Sequence, residues 1–482
     1  MTPKLRSVSN FKKIKSIGHD IKTVIIPEGV TVIKICVNTQ TPLVRFKISA
    51  PDLVEKYGSL PDVIDLDMLV QGEDYVYSPG GVTAMVYPLL KEMSLKGLIE
   101  NAMWVALSPE SPIRIIGNGI TFVNIDLTRS ESEKYVRFKD KLWNEIHGIE
   151  KMNFVPSEYL SFNVYSWKTA DVLLQNFENF DIYYIHDFQQ LQIGNFVGPF
   201  APAVFRWHIP ANFDSVSDRI RKFVIRNMEA YDALIVSTKR DLEALFRSGY
   251  RGIANQVYPY IDEKEWFEPS SQEISEFLQL TGLNEDDRYF LVVARMDPIK
   301  GQDVAIRALK KLHESLPDVK LLLIGNGSFS GSSTGGLGSS KASNWRKNIM
   351  KLISEFNLQQ SVILAGHMPD KLMRAAYALC DCVILPSKAE GFGLVTVEAW
   401  RMRKPVIVST GAGSSELVVD GINGYTFPSG DYEDLAERMR DIIVKGNGTE
   451  LGTMGYETAK QCYVENAIKK LVPIFERAMS GY

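Results

Sequence analysis

Cysteine is scarce in this chain: its 482 residues hold four, at positions 36, 380, 382 and 462. They are too few and too scattered for a disulfide framework, and no second cysteine pair or histidine pair completes a zinc pattern. Cys380 and Cys382 read as packing residues at the start of a strand. Long apolar runs are missing as well. The polar, basic opening Met-Thr-Pro-Lys-Leu-Arg-Ser lacks a signal-peptide core, and no stretch reaches the length of a membrane span, so the sequence predicts a cytoplasmic protein. Neither sign of charge dominates: a net charge of -4 gives no general reason to bind nucleic acid or a membrane surface. The Gly325-Asn326-Gly327 turn lacks the third glycine, and the acidic residue some way downstream, that a dinucleotide-binding dehydrogenase needs. What is present is 45% hydrophobic and 23% charged, an ordinary globular composition with length for two or three domains.

The most informative stretch is residues 388–400, Lys-Ala-Glu-Gly-Phe-Gly-Leu-Val-Thr-Val-Glu-Ala-Trp. An apolar strand at 381–387 runs into a glycine-bearing turn and then a helix that continues to about residue 403. Glu390 falls in the turn and Glu398 about a turn into the helix, so both carboxylates can face the crevice at the strand's carboxyl end. Helix-start amides between them suit anionic groups, and the carboxylates suit hydroxyls. A sugar nucleotide has both.

This stretch resembles the donor-sugar signature of retaining glycosyltransferases with two facing Rossmann-like domains. The resemblance implies that Glu390 and the amides of Gly391, Phe392, Gly393 and Leu394 hold the donor sugar, and that Glu398 holds the ribose. Upstream, residues 289–301 form an apolar strand followed by Arg295 and Lys300, and Gly301 leads into a helix with Val304, Ala308, Leu309 and Leu312 on one face. This spacing is similar to the family's diphosphate clamp. Two fixed cations are most useful where charge grows on a departing diphosphate. Gly80 and Gly81 lie between a short strand and an apolar helix, where a missing side chain lets a phosphate approach the backbone. The family carries a similar Gly-Gly turn in its first domain.

The acceptor side is read from two strand ends. Residues 180–191 give an apolar strand ending in His186-Asp187, and a second strand at 203–210 ends in Trp207-His208-Ile209-Pro210. The His-Ile-Pro is similar to trehalose-phosphate synthases, and Ile-His-Asp-Phe-Gln-Gln-Leu is closer to trehalose synthases that use free glucose. The resemblance places an acceptor hexose near His186, Asp187 and Trp207 or His208, and leaves its phosphorylation open.

The fold expected is α/β, two facing Rossmann-like domains with a cleft between them. The first covers 1–265 with a strand extension at its start, where residues 11–47 read as two or three short strands with a turn at Pro27–Gly29; the second covers 288–465, and a helix at 466–482 crosses back to the first. Residues 113–126 read as a hairpin or strand pair, about 131–148 as an amphipathic helix and 271–280 as a helix within the linker. Residues 328–344 hold seven serines and four glycines and read as a flexible insertion, with a helix from Trp345. The expected reaction is retaining transfer of glucose from a nucleoside-diphosphate glucose to glucose or glucose 6-phosphate. Arg295, Lys300, Glu390, His186 and Asp187 are at the centre, without cofactor or metal, and a homo-oligomer stays open. The rivals are transfer to another acceptor, such as a glycan, a lipid-linked sugar or glycerate, and a sugar-nucleotide-binding regulator without turnover.

Overall fold

The computed structural model describes residues 31–78, 80–211, 213–325 and 337–481, and the strand backbones Lys12–Ile14 and Lys22–Val24; for 337–341 only the backbone is described. The chain divides into two compact units: Met1–Val236 with Leu242–Val257 and Ile468–Tyr482, and Ser237–Asp241 with Tyr258–Ala467.

The first unit is built on a nine-stranded sheet. In chain order its strands are β1 (Ile33–Thr39), β2 (Ile64–Asp65), β3 (Ile99–Leu107), β4 (Arg114–Gly117), β5 (Ile120–Ile125), β6 (Ile182–His186), β7 (Ala203–Arg206), β8 (Ala233–Val236) and β9 (Ala254–Gln256). Their spatial order is β9-β8-β7-β6-β1-β3-β5-β4-β2, parallel except for the β4–β5 hairpin. The stretch expected to be an N-terminal extension thus supplies the central strand β1. Its residues from Ile35 to Val37 are fully buried, because a parallel strand is covered on both faces and reads as a continuous apolar run rather than an alternating one. The expected turn at Pro27–Gly29 lies outside the described residues. The predicted amphipathic helix is Arg129–Ile146, opened by a capping box between Thr128 and Glu131. A second long helix, Pro156–Leu174, packs against it and was not anticipated.

The second unit holds a fully parallel six-stranded sheet. Its strands are β10 (Tyr289–Val293), β11 (Lys320–Ile324), β12 (Val362–Gly366), β13 (Cys382–Leu385), β14 (Val406–Ser409) and β15 (Tyr425–Phe427). They lie in the order β12-β11-β10-β13-β14-β15. Alternation along the strands fills two cores. Leu291, Leu322, Val383 and Val408 point to one face, and Phe290, Leu321, Ile384 and Ile407 to the other. The linker helix is Ser271–Thr281, and it packs on Asp370–Leu379 within this unit. The helix expected from Trp345 begins earlier and runs Leu337–Glu355, so the last part of the serine and glycine tract is helical; residues 328–336 lie outside the described ones.

Both sheets reverse direction at one place. From β1 the chain builds outward to β3 and β5, then returns to lay β6 on the other side of β1. From β10 it builds to β11 and β12, then returns to lay β13 on the other side of β10. Loops that leave two neighbouring strands in opposite directions part from each other and open a crevice at the carboxyl ends. The crevices lie beyond Thr39 and His186 in one sheet, and beyond Val293 and Leu385 in the other.

Candidate functional site

In the second unit the loops after β10 and β13 carry the expected donor residues. Arg295 is exposed, and its guanidinium makes no hydrogen bond or ion pair among the described residues. Lys300 pairs through Nζ with Glu390 Oε2, and Ser387 Oγ donates to the same oxygen at 3.3 Å. The turn that presents Lys300 is held by close backbone packing. Gly301 has φ +70°, and a Cβ there would stand 2.0 Å from the Pro386 carbonyl oxygen at the end of β13. The backbone amide of Lys388 donates to the Ile299 carbonyl at 2.7 Å, a second tie between the two loops. Gln302, buried at the head of the next helix, donates from Nε2 to the Arg295 carbonyl at 2.7 Å and accepts from Trp345 Nε1 at 2.9 Å.

Glu390 opens a segment sewn to the loop after β14. Its amide donates to the Gly411 carbonyl and its carbonyl accepts from Gly413, both at 3.1 Å. Gly393 caps the helix Leu394–Arg401 at φ +98° with no side chain bonded to the helix start, and of the first-turn amides Thr396 turns back to the Gly393 carbonyl at 3.1 Å. Glu398 lies on that helix, half-buried, and accepts from the Tyr377 hydroxyl at 2.6 Å. Burial pushes its carboxyl up to about 7, and the Tyr377 bond opposes the rise.

In the first unit β6 ends in His186, which is fully buried, and Asp187 follows with φ 70° and ψ 162°. Such a conformation is nearly confined to glycine and costs about 1–3 kcal/mol, and retained strain of this kind clusters at working sites. Asp187 Oδ1 accepts from the Phe188 amide at 2.8 Å. Burial raises its carboxyl to about 6, against the pull of that bond and of the Lys139 charge. The two candidates after β7 part company. Arg206 pairs in register with His186 and Phe205 with Ile185. Alternation then sends Trp207 into the core with Phe205 and Phe213, where it is 1% exposed, and brings His208 to His186. His208 Nε2 lies 3.0 Å from His186 Nδ1, and Trp207 stays behind the sheet. Gly80 caps the helix Gly81–Leu95 at an ordinary φ of -75°. A Cβ on Gly81 would meet nothing within 4 Å, so the first unit's own packing does not require glycine there.

Sequence reasoning passed over Tyr377, Gln302 and Ser387. Tyr377 and Gln302 act through residues 21 and seven positions away. A buried polar residue immediately after Gly301 was the available signal for Gln302. Tyr377 had none, being one more large residue on the buried face of the helix Asp370–Leu379. Among the described residues no helix is long and apolar enough to cross a membrane, and no cluster of histidine, cysteine or carboxylate side chains could hold a metal ion.

Two Rossmann-like parallel-sheet units with ligand-type loops at their switch points define the class, the GT-B glycosyltransferase fold. Residues 273–460, which contain Arg295, Lys300, Glu390 and Glu398, match the family described as glycosyl transferases group 1. More particularly, residues 126–242, which contain His186, Asp187, Trp207 and His208, match the family described as trehalose synthase, N-terminal domain. Among curated relatives, D-inositol 3-phosphate glycosyltransferase of Mycolicibacterium smegmatis is 27% identical over 253 residues, 52% of this chain and 54% of that protein. The chain spans about half the length of the curated relatives it matches. Two solved structures share the fold over nearly all of the chain. An alpha,alpha-trehalose-phosphate synthase (UDP-forming) from Burkholderia xenovorans, in complex with glucose-6-phosphate, has a TM-score of 0.70 at 14% identity, covering 92% of this chain and 100% of the other. The structure described as trehalose-6-phosphate from E. coli bound with UDP-2-fluoro glucose has a TM-score of 0.69 at 15% identity, covering 92% of this chain and 98% of the other.

Proposed function

We propose that the protein transfers glucose, with retention of anomeric configuration, from a nucleoside-diphosphate glucose to glucose 6-phosphate or glucose, forming trehalose 6-phosphate or trehalose. The observation that carries this reading is the meeting of the Arg295–Lys300 loop with the Glu390–Glu398 segment at the switch point of β10 and β13. There Arg295 and Lys300 offset the negative charge that grows on the departing diphosphate as the glycosidic bond breaks, a task for which preorganised cations suffice without a metal. Glu390, tied to the neighbouring loop on both sides of its backbone, orients the sugar hydroxyls, and Glu398 accepts from the ribose. His186 and Asp187 hold the acceptor or the donor sugar's primary hydroxyl. Support for the trehalose product comes from the match of residues 126–242 and from fold neighbours solved with glucose-6-phosphate and with a UDP-sugar. The names of the curated relatives favour one other reading, transfer of a sugar to a phosphorylated cyclic polyol.

The test is product formation from UDP-, ADP- and GDP-glucose with glucose, glucose 6-phosphate and inositol 3-phosphate, followed by anomeric proton NMR. An α,α-linked disaccharide or its phosphate is expected. Product with the inositol acceptor alone would replace the trehalose reading with the second one, and donor binding without any product would leave a sugar-nucleotide-binding regulator.

A further inference from the structure

The strand end that carries His186 holds a second imidazole. His186 Nδ1 lies 3.0 Å from His208 Nε2, with the ring planes 16° apart. The other ring nitrogen of His186, Nε2, is buried and has no hydrogen-bond partner among the described residues. Buried polar atoms are almost always paired, so an orphaned nitrogen at a strand's carboxyl end is open to a partner from outside the chain. Burial first, then for His186 the His208 ring, and for both the Arg206 charge, hold the two imidazoles well below their ordinary range and therefore neutral. Two neutral rings joined by one hydrogen bond share one proton across it, so their tautomers are coupled. In one arrangement His208 Nε2–H donates to His186 Nδ1, and His186 keeps its own proton on Nε2. In the other, His186 Nδ1–H donates to His208, and His186 Nε2 is a bare lone pair. The first puts both rings in the Nε2–H form, which a neutral histidine side chain prefers in water. The second puts both in the less favoured form.

We propose that His208 is a positioning residue that locks His186 in the Nε2–H tautomer, so that the buried nitrogen presents a neutral hydrogen-bond donor to a sugar hydroxyl oxygen. The proposal rests on the reading of this strand end as a sugar site. It assigns the contact to a hydroxyl rather than a phosphate, because an uncharged imidazole adds a directed N–H without a counter-charge.

Nitrogen NMR of the full chain with labelled histidine tests it. The chain has six histidines, and substitution of His186 and His208 assigns their signals. Without sugar, His186 is expected to carry its proton on Nε2 and a lone pair on Nδ1 across neutral pH. A proton found on Nδ1 overturns the proposal whether or not the chain transfers glucose, so its failure is separable from failure of the proposed function. The second arm compares two variants. His208→Gln keeps an N–H donor towards Nδ1, and His208→Phe does not. Where the wild type turns over, His208→Phe should lower kcat/KM about tenfold, and His208→Gln should recover most of that loss. In His208→Phe the His186 nitrogen shifts should move towards a mixture of tautomers. An unmixed Nε2–H signal in a folded His208→Phe variant would overturn the positioning role.

Discussion

Burial pushes the Glu398 carboxyl up to about 7; the Tyr377 hydroxyl restrains the rise and the Asp370 charge adds to it. An unfolded glutamate titrates near 4.5, so between that value and about 7 the folded protein holds a proton that the unfolded chain has released. This group's contribution to stability is therefore fully present below 4.5 and is lost as the pH climbs to about 7. If Glu398 holds the ribose as proposed, ligand binding runs the opposite way, because only the ionised carboxylate accepts from both hydroxyls of a ribose. Affinity for the nucleoside diphosphate should rise as the pH passes through about 7. Calorimetric titration at a series of pH values reads this midpoint. Tyr377→Phe removes the bond that favours the charged form and should move the midpoint upward, whereas Glu398→Gln should flatten the profile. A profile unchanged in Glu398→Gln would assign the dependence to another group.

At the scale of the element, the glycines separate two jobs. Gly301 is required by the fold: its φ of +70° and the nearby Pro386 carbonyl leave no space for a methyl group. Gly301→Ala should cost at least 1–2 kcal/mol, roughly the strain of a side chain held in the left-handed region, and should move Lys300 with it. Gly81, by contrast, is in open space at the start of a helix. Gly81→Ala should leave the melting temperature unchanged or raise it, since alanine favours a helix by about 0.5–1 kcal/mol. If a phosphate approaches that backbone, the same variant raises the KM for the sugar nucleotide. Thermal melts and donor kinetics on the pair check both halves, and an unaltered donor KM in Gly81→Ala would remove the phosphate role from this turn.

These elements also mark how far the sequence could be read. Residues 289–301 and 381–400 were legible because a fully buried parallel strand is a continuous apolar run, and each run ends in residues that no core would hold. The central strand β1 was misread as an extension, since an apolar run near a chain start carries no sign of its two neighbours, β6 and β3, which come far later. Trp207 and His208 were left as alternatives. The register of β6 with β7 separates them, and register is a property of two strands that neither sequence contains alone. The Tyr377–Glu398 bond was hidden for a similar reason, as it joins two helices that share one core on the same face of the sheet, an arrangement that neither segment contains alone.

On the scale of the whole molecule, two units with separate buried cores favour two unfolding transitions rather than one. The nucleotide-binding candidates Arg295, Lys300, Glu390 and Glu398 all belong to the second unit. A nucleoside diphosphate at about a hundred times its Kd should stabilise that unit by about 2.7 kcal/mol. Differential scanning calorimetry with and without the nucleotide should show the transition of the second unit moving and the other standing still. A single transition that shifts as a whole would remove the premise of independent units.

The four cysteines give this chain a built-in clock. None is in a disulfide and all are buried, and burial holds the thiols of Cys36, Cys380 and Cys382 above their ordinary range. A thiol reagent therefore meets almost no reactive sulfur until the polypeptide opens. Cys36 lies in the central strand of the first sheet, while Cys380, Cys382 and Cys462 belong to the second unit. The order in which mass spectrometry finds them modified tells which half of the molecule opened first. For the same reason, a single cysteine engineered onto the surface could carry a fluorophore against a silent background.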